Sequence, residues 1–252
     1  MIGQSVFVSM AMATFVLFST SAFAKCADKD LPSREQLVAS LSRVVESGNG
    51  GIFKPNAMWL TMVNRSGEVC AVVKIGDAWP GSRVISAQKA NTANAFSNDR
   101  LSLSTANIYS AVQPGGSLYG LQHSNPVDAS VAYRGKDGKK FGSSDDPMVG
   151  GRVGGVNVFG GGLALYAKDR KTVLGAIGVS GDSSCADHII AWHVRAELGL
   201  DTIPGGVSVA KDDNIIHDID GGKSAGGFGH PVCSADATKI AKDLVISEKM
   251  KK

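Results

Sequence analysis

Apolar positions Leu37, Leu41, Val44 and Val45 recur at i, i+4, i+7 and i+8 behind Ser33-Arg34-Glu35-Gln36, an S-x-x-Q capping box. The spacing predicts a first helix, ended by Gly48-Asn49-Gly50-Gly51. Two short runs rich in apolar and β-branched residues follow, Met58 to Val63 and Glu68 to Ile75, separated by Asn64-Arg65-Ser66-Gly67. They predict a β-hairpin. Ser82 is placed to cap a second helix through Phe96, whose alanines at 87, 90, 93 and 95 predict close packing against a neighbouring element. From Ser97 to about Gln122 the pattern is broken, with a turn at Pro114-Gly115-Gly116, and residues 128–150 are polar enough to predict an exposed loop.

After the glycine cluster of residues 150–162, Leu163 to Ala167 and Val173 to Val179 predict two strands about a turn at Lys168-Asp169-Arg170-Lys171. Ser184 and Asp187 have the form of a capping box and open a helix to about Leu198. Beyond Gly205 the chain is rich in Gly and Asp, until a lysine-containing helix from Ser234 to about Lys249. This tail has the character of an appendage, and no internal repeat is visible.

The first 24 residues carry no charged side chain, hold an apolar stretch from about Val6 to Phe18, and end in Ala22-Phe23-Ala24. That is the form of a secretory signal with cleavage before Lys25. The apolar run falls short of the ~20 residues that span a bilayer. All four cysteines, Cys26, Cys70, Cys185 and Cys233, lie after the leader, and an even count in an exported chain favours two disulfides with three pairings open. The expected compartment is therefore the periplasm or the exterior.

Composition narrows the function classes. The chain has 26 Lys+Arg against 23 Asp+Glu, a net charge of +3, too slight an excess to predict nucleic acid or an anionic membrane as partner. Its 252 residues include 31 glycines, well above the usual ~7%, which predicts many turns and close backbone approaches. Gly221-Gly222-Lys223-Ser224 ends like a phosphate-binding loop, but His217 stands where the first glycine is needed. Gly181-Asp182-Ser183 lacks the following glycine of a nucleophile elbow and reads as a capping turn. No CxxC or HExxH spacing occurs, so a zinc hydrolase is not predicted.

The helix from Cys185 to Leu198 carries the most chemistry. At about 100° per residue, Ile190, Val194 and Leu198 share one face, predicted to be the core side. His188, Trp192 and Arg195 share nearly the opposite face. An imidazole, an aromatic ring and a guanidinium aligned there suit a pocket that stacks a flat ligand and meets its carboxylates. They suit a subunit interface equally well. His123, after Leu118-Tyr119-Gly120-Leu121-Gln122, is a second candidate in a loop-like stretch.

Taken together, Val63-Asn64-Arg65-Ser66-Gly67, Ala87-Gln88-Lys89-Ala90-Asn91-Thr92-Ala93, Gly154-Gly155-Val156, and Val173-Leu174-Gly175-Ala176-Ile177-Gly178-Val179-Ser180-Gly181 with Asp187 after it resemble the GlcG/HbpS-like haem-binding family. The likeness runs from about residue 33 to 198. It implies a profilin-like α/β domain over residues 25–204, a five-stranded antiparallel sheet flanked by helices, with residues 205–252 as a Gly-rich C-terminal extension. It also implies small-molecule binding, with haem as the cofactor, and homo-oligomers; haem degradation belongs to the family's domain name. A haem-ligating histidine placed in the first helix of some relatives has no counterpart here. Iron ligation is therefore expected at His188 or, failing that, His123, by chemistry and not by motif.

Overall fold

The first helix starts where its sequence says it should: Ser33 Oγ accepts from the Gln36 amide, and the Gln36 side chain accepts from the Ser33 amide. A computed structural model describes residues 26, 29–53, 56–169 and 172–246. The leader expected over residues 1–24, part of the turn at 168–171 and residues 247–249 of the expected last helix lie outside them; that helix already ends at Asp243, short of the expected Lys249, with Leu244 extended.

In chain order the elements are α1 (Arg34–Val45), β1 (Met58–Asn64), β2 (Val69–Ile75), α2 (Ser82–Phe96), then three single-turn helices, α3 (Thr105–Ile108), α4 (Leu121–Ser124) and α5 (Ala129–Ala132). There follow β3 (Gly162–Tyr166), β4 (Val173–Ser180), α6 (Ser184–Glu197), the short pair β5 (Ile219–Asp220) and β6 (Lys223–Ser224), and α7 (Ala235–Asp243). The predicted hairpin is β1 with β2, antiparallel, and β1 also pairs antiparallel with β4. Among the described residues the main sheet has four strands in the order β2-β1-β4-β3, where the family likeness implies five.

Both faces of this sheet are covered, which is why its strands are nearly continuous apolar runs. Leu60 and Met62 of β1, with Ile177 and Val179 of β4, meet Leu37, Leu41 and Val44 of α1 and Ile189, Ile190 and Val194 of α6. Trp59 and Val63, pointing the other way, join Ala87, Ala90 and Ala93 of α2. These three alanines are fully buried because α2 lies almost on the backbone of β4: a Cβ on Gly178 would sit 2.0 Å from the Ser86 carbonyl oxygen. The glycine cluster serves the same end, since a Cβ on Gly162 would lie 2.5 Å from the Lys89 carbonyl oxygen.

Three expectations shift. Gly81, not Ser82, precedes the first turn of α2, with no side-chain cap, and Ala95 is exposed. Ser183 caps α6 by accepting from the Ala186 amide, one residue before the predicted cap. The 128–150 segment is not simply an exposed loop: Val131, Ala132, Asp146 and Met148 are buried. Arg83 of α2 pins it, its Nε donating to Asp146 at 2.9 Å, while Asp146 also accepts from the Gly142 and Met148 amides. The polar tract anchors through one carboxylate that a hydropathy pattern scores as solvent-facing.

Candidate functional site

A buried ion pair joins two of the motifs that carry the family likeness. Lys89 of α2 reaches across the end of β4, donating to Asp187 at 2.8 Å and to the Val179 carbonyl at 2.9 Å. Asp187 also accepts from the Asp182 amide at 2.9 Å, so it ties the strand-to-helix turn to α2. Burial pushes the Asp187 carboxyl up to about 6 against the pull of Lys89, and the same burial lowers the Lys89 ammonium. Neither group faces solvent, so the pair is a structural bolt.

Helical spacing does bring His188, Trp192 and Arg195 together. The Arg195 guanidinium lies 5.0 Å from the Trp192 ring, and the His188 and Trp192 rings are 6.0 Å apart. Instead of a pocket or a subunit, however, residues between Asp213 and Val245 cover this face. Arg195 donates two 2.7 Å bonds to Asp213 and a third to the Ala164 carbonyl. Trp192 Nε1 donates to the Val245 carbonyl, and the Ile215 amide donates to His188 Nε2 at 3.1 Å. All three side chains are essentially inaccessible, and Ile215, Ala237, Ala241 and Leu244 of the extension join the core cluster around α6.

The tautomer of His188 follows from its partner. Nε2 accepts from an amide, so the proton is on Nδ1, which is buried without a hydrogen-bond partner. Burial lowers the His188 pKa to about 3. The ring is neutral, and its one lone pair is already engaged; iron would compete with the Ile215 amide. His123, by contrast, stands exposed on α4.

A cavity of about 590 Å³ opens on the other face of the sheet, within the ~300–1,000 Å³ typical of small-molecule sites. Trp59 of β1, Lys74 of β2, Arg83 and Val84 of α2, and Tyr133 and Phe141 of the pinned 128–150 segment line it. Trp59 is held by its Nε1 donating to the Trp79 carbonyl at 2.9 Å, and Lys74 Nζ stands 5.5 Å over its ring. Arg83 stacks on Phe141 with 4.1 Å between guanidinium and ring, though its charge is committed to Asp146. Lys74 and Tyr133 are exposed to the opening. Aromatic walls with an exposed ammonium that has no carboxylate partner among the described residues, and a phenol, fit a flat anionic ligand. Sequence reasoning missed this cavity because its residues come from four separate segments, without a common period.

The four cysteines pair as Cys26–Cys70 and Cys185–Cys233, resolving the three possibilities. Among the described residues no helix is long and apolar enough to cross a membrane.

No curated protein matches the chain. Among solved structures it is similar to Klebsiella pneumoniae protein ORFY, at 25% identity over 66% of this chain and 86% of that one, with a TM-score of 0.44. It is similar also to the PduOC:haem complex, at 24% identity over 67% and 94% of the two chains and a TM-score of 0.47. For the crystal structure of HbpS the identity is 18%, over 67% and 90%, with a TM-score of 0.41. The family model described as "Haem degrading protein HbpS-like" matches residues 54–196, more than half of the chain and a span holding the β1–β2 hairpin, the Lys89–Asp187 pair and nearly all of α6. The chain therefore belongs to the HbpS-like family.

Proposed function

We propose that this protein binds a flat, anionic small molecule, haem foremost, in the cavity between β1, β2, α2 and the 128–150 segment. The observation that carries the reading is the lining itself: Trp59 and Phe141 as apolar walls, Lys74 as the cation for a ligand carboxylate, and Tyr133 as a phenol at the opening. Family membership supplies the ligand class. Phenolate is a known protein ligand to haem iron, so Tyr133 is the donor of choice at this site. Bound haem would bring iron-centred redox chemistry; Trp59 and Phe141 would stack the macrocycle and Lys74 would hold its carboxylate.

We place the mature protein outside the cytoplasm, as a self-associating binder. Two disulfides and the uncharged apolar leader support export. A protein isolated from its source with Lys25 at its N-terminus would establish the processing.

A second reading keeps the ligand on α6, with His188 as the iron donor and Trp192 and Arg195 beside it, or else uses His123. The grouping of the three side chains on one helix face favours it, with the His188 and Trp192 rings 6.0 Å apart and the Arg195 guanidinium 5.0 Å from the Trp192 ring. It requires residues 213–245 to leave the helix. Titration of hemin into the full chain separates the readings by the Soret band. We expect a saturable shift that Lys74→Ala weakens several-fold, that Tyr133→Phe alters in shape, and that His188→Ala leaves unchanged. Loss of the shift in His188→Ala alone moves the site to α6, and absence of any saturable shift rejects haem. Adding a reductant and oxygen to the complex distinguishes a binder, which leaves the porphyrin intact, from a haem-degrading enzyme.

A further inference from the structure

The Cys185–Cys233 bridge lies beside a buried histidine, His230. A ring nitrogen of His230 and the two sulfurs all lie within 4.8 Å of one another. Cys185 and His230 are buried and Cys233 is half-buried. His230 Nδ1 lies 2.8 Å from the Pro231 carbonyl oxygen, which can only accept, so the proton is on Nδ1 and the lone pair on Nε2. That Nε2 is buried and has no hydrogen-bond partner among the described residues. His217 repeats the arrangement: Nδ1 faces the His230 carbonyl at 3.1 Å, Nε2 is buried and partnerless, and its ring centroid is 6.4 Å from that of His230. An imidazole anchored through one N–H on a backbone carbonyl, with the other nitrogen free, is the habitual posture of a metal ligand.

The sulfurs have support of their own. Cys233 Sγ accepts from the Cys185 amide at 3.2 Å, in the first turn of α6, and lies 3.6 Å from Ser184 Oγ. Amide and hydroxyl donors at a helix start favour a thiolate over a thiol.

We infer that, once the Cys185–Cys233 bond is reduced, Cys185, Cys233 and His230 form a binding site for a thiophilic divalent cation of the zinc type, with one tetrahedral position left for His217 or a solvent oxygen. The steps balance. A dithiol reductant exchanges with the bridge, becoming a cyclic disulfide while Cys185 and Cys233 become thiols. The cation then forms two metal–sulfur bonds and one metal–nitrogen bond, and two protons leave. Bridge and cation exclude each other because each uses the same sulfur electron pairs. Either one fastens the extension to the start of α6, so the connection that covers the His188 face survives a change of redox state.

The test uses Co²⁺ as a spectroscopic stand-in for Zn²⁺, added anaerobically to the full chain after reduction and removal of the reductant. A Cys26→Ser, Cys70→Ser background keeps the other cysteine pair from contributing. Reduced protein is expected to bind one Co²⁺ with thiolate charge-transfer and tetrahedral d–d bands, Zn²⁺ to displace it, and oxidised protein to show neither band. His230→Ala is expected to weaken binding by about tenfold or more. Absence of the thiolate band in reduced protein, or equal binding by His230→Ala, overturns the site. Circular dichroism of each reduced sample confirms that the comparison is between folded proteins. Should reduction unfold the chain, recovery of the native spectrum on adding Zn²⁺ supports the site, and failure to recover rejects it.

Discussion

Arg195 and Asp213 meet through two parallel 2.7 Å hydrogen bonds with both side chains withdrawn from solvent. Ser102 Oγ completes the carboxylate's shell at 2.7 Å, so the last main helix, the C-terminal extension and the loop after α2 converge on one carboxyl group. Opposing charge holds Asp213 below the usual carboxylate range although burial pushes the other way.

Breaking that pair from one side leaves a buried charge without its counterion. Asp213→Asn or Arg195→Met should each destabilise the protein by about 3–5 kcal/mol, whereas Arg195→Met combined with Asp213→Leu should recover much of the loss. Urea unfolding of the two single variants and the double variant measures this; additive losses would show that the two residues act separately.

Lys89→Met should cost a similar amount, about 3–5 kcal/mol, because Asp187 then has no cation. It carries a further signature. With its carboxyl pKa raised still more, folded protein holds a proton that unfolded protein has released, so the variant loses stability as pH rises from the carboxylate range toward neutrality. Thermal melting across pH tests that trend, and a flat profile would count against it.

His188 predicts the opposite slope. Its pKa falls from 6.5 to about 3 on burial, so between those values the unfolded chain binds a proton that the fold excludes. Stability contributed by the neutral ring is complete above 6.5 and declines with acidification by about 1.4 kcal/mol per pH unit. Replacing His188 with Gln should flatten that part of the curve; an unchanged slope would assign it to other groups.

Gly178→Ala tests the contact between α2 and β4. Because the new methyl would lie 2.0 Å from the Ser86 carbonyl oxygen and 2.5 Å from the Ala90 amide, neither of which is a flexible side chain, the helix must lift from the sheet. A loss of about 3 kcal/mol is expected. Gly150, with open space around its Cβ position but φ +84°, serves as the comparison for backbone strain without a clash.

Local periodicity was enough to read α1 with its cap, the β1–β2 hairpin, β3, β4 and the length of α6, since each expresses an apolar pattern that one element buries. It also predicted that His188, Trp192 and Arg195 share a face, which follows from helix geometry. What would cover that face depended on residues 18 to 53 positions further along: Asp213 for Arg195, Ile215 for His188, Val245 for Trp192. No period connects them. The same holds for the 128–150 segment, whose composition is polar yet whose Asp146 is buried by an arginine 63 residues earlier.

The sequence by itself determined the type and order of the principal elements, the even cysteine count and the family, because these reside in local pattern and motif. The tertiary structure decided which cysteines pair, how many strands the sheet holds, and that the C-terminal extension closes over the charged and aromatic face of α6. It also decided that an aromatic and cationic cavity forms on the opposite side of the sheet. The reason is physical: a buried charge or imidazole is tolerated only with a partner, and the partner's identity is fixed by where distant segments come to rest.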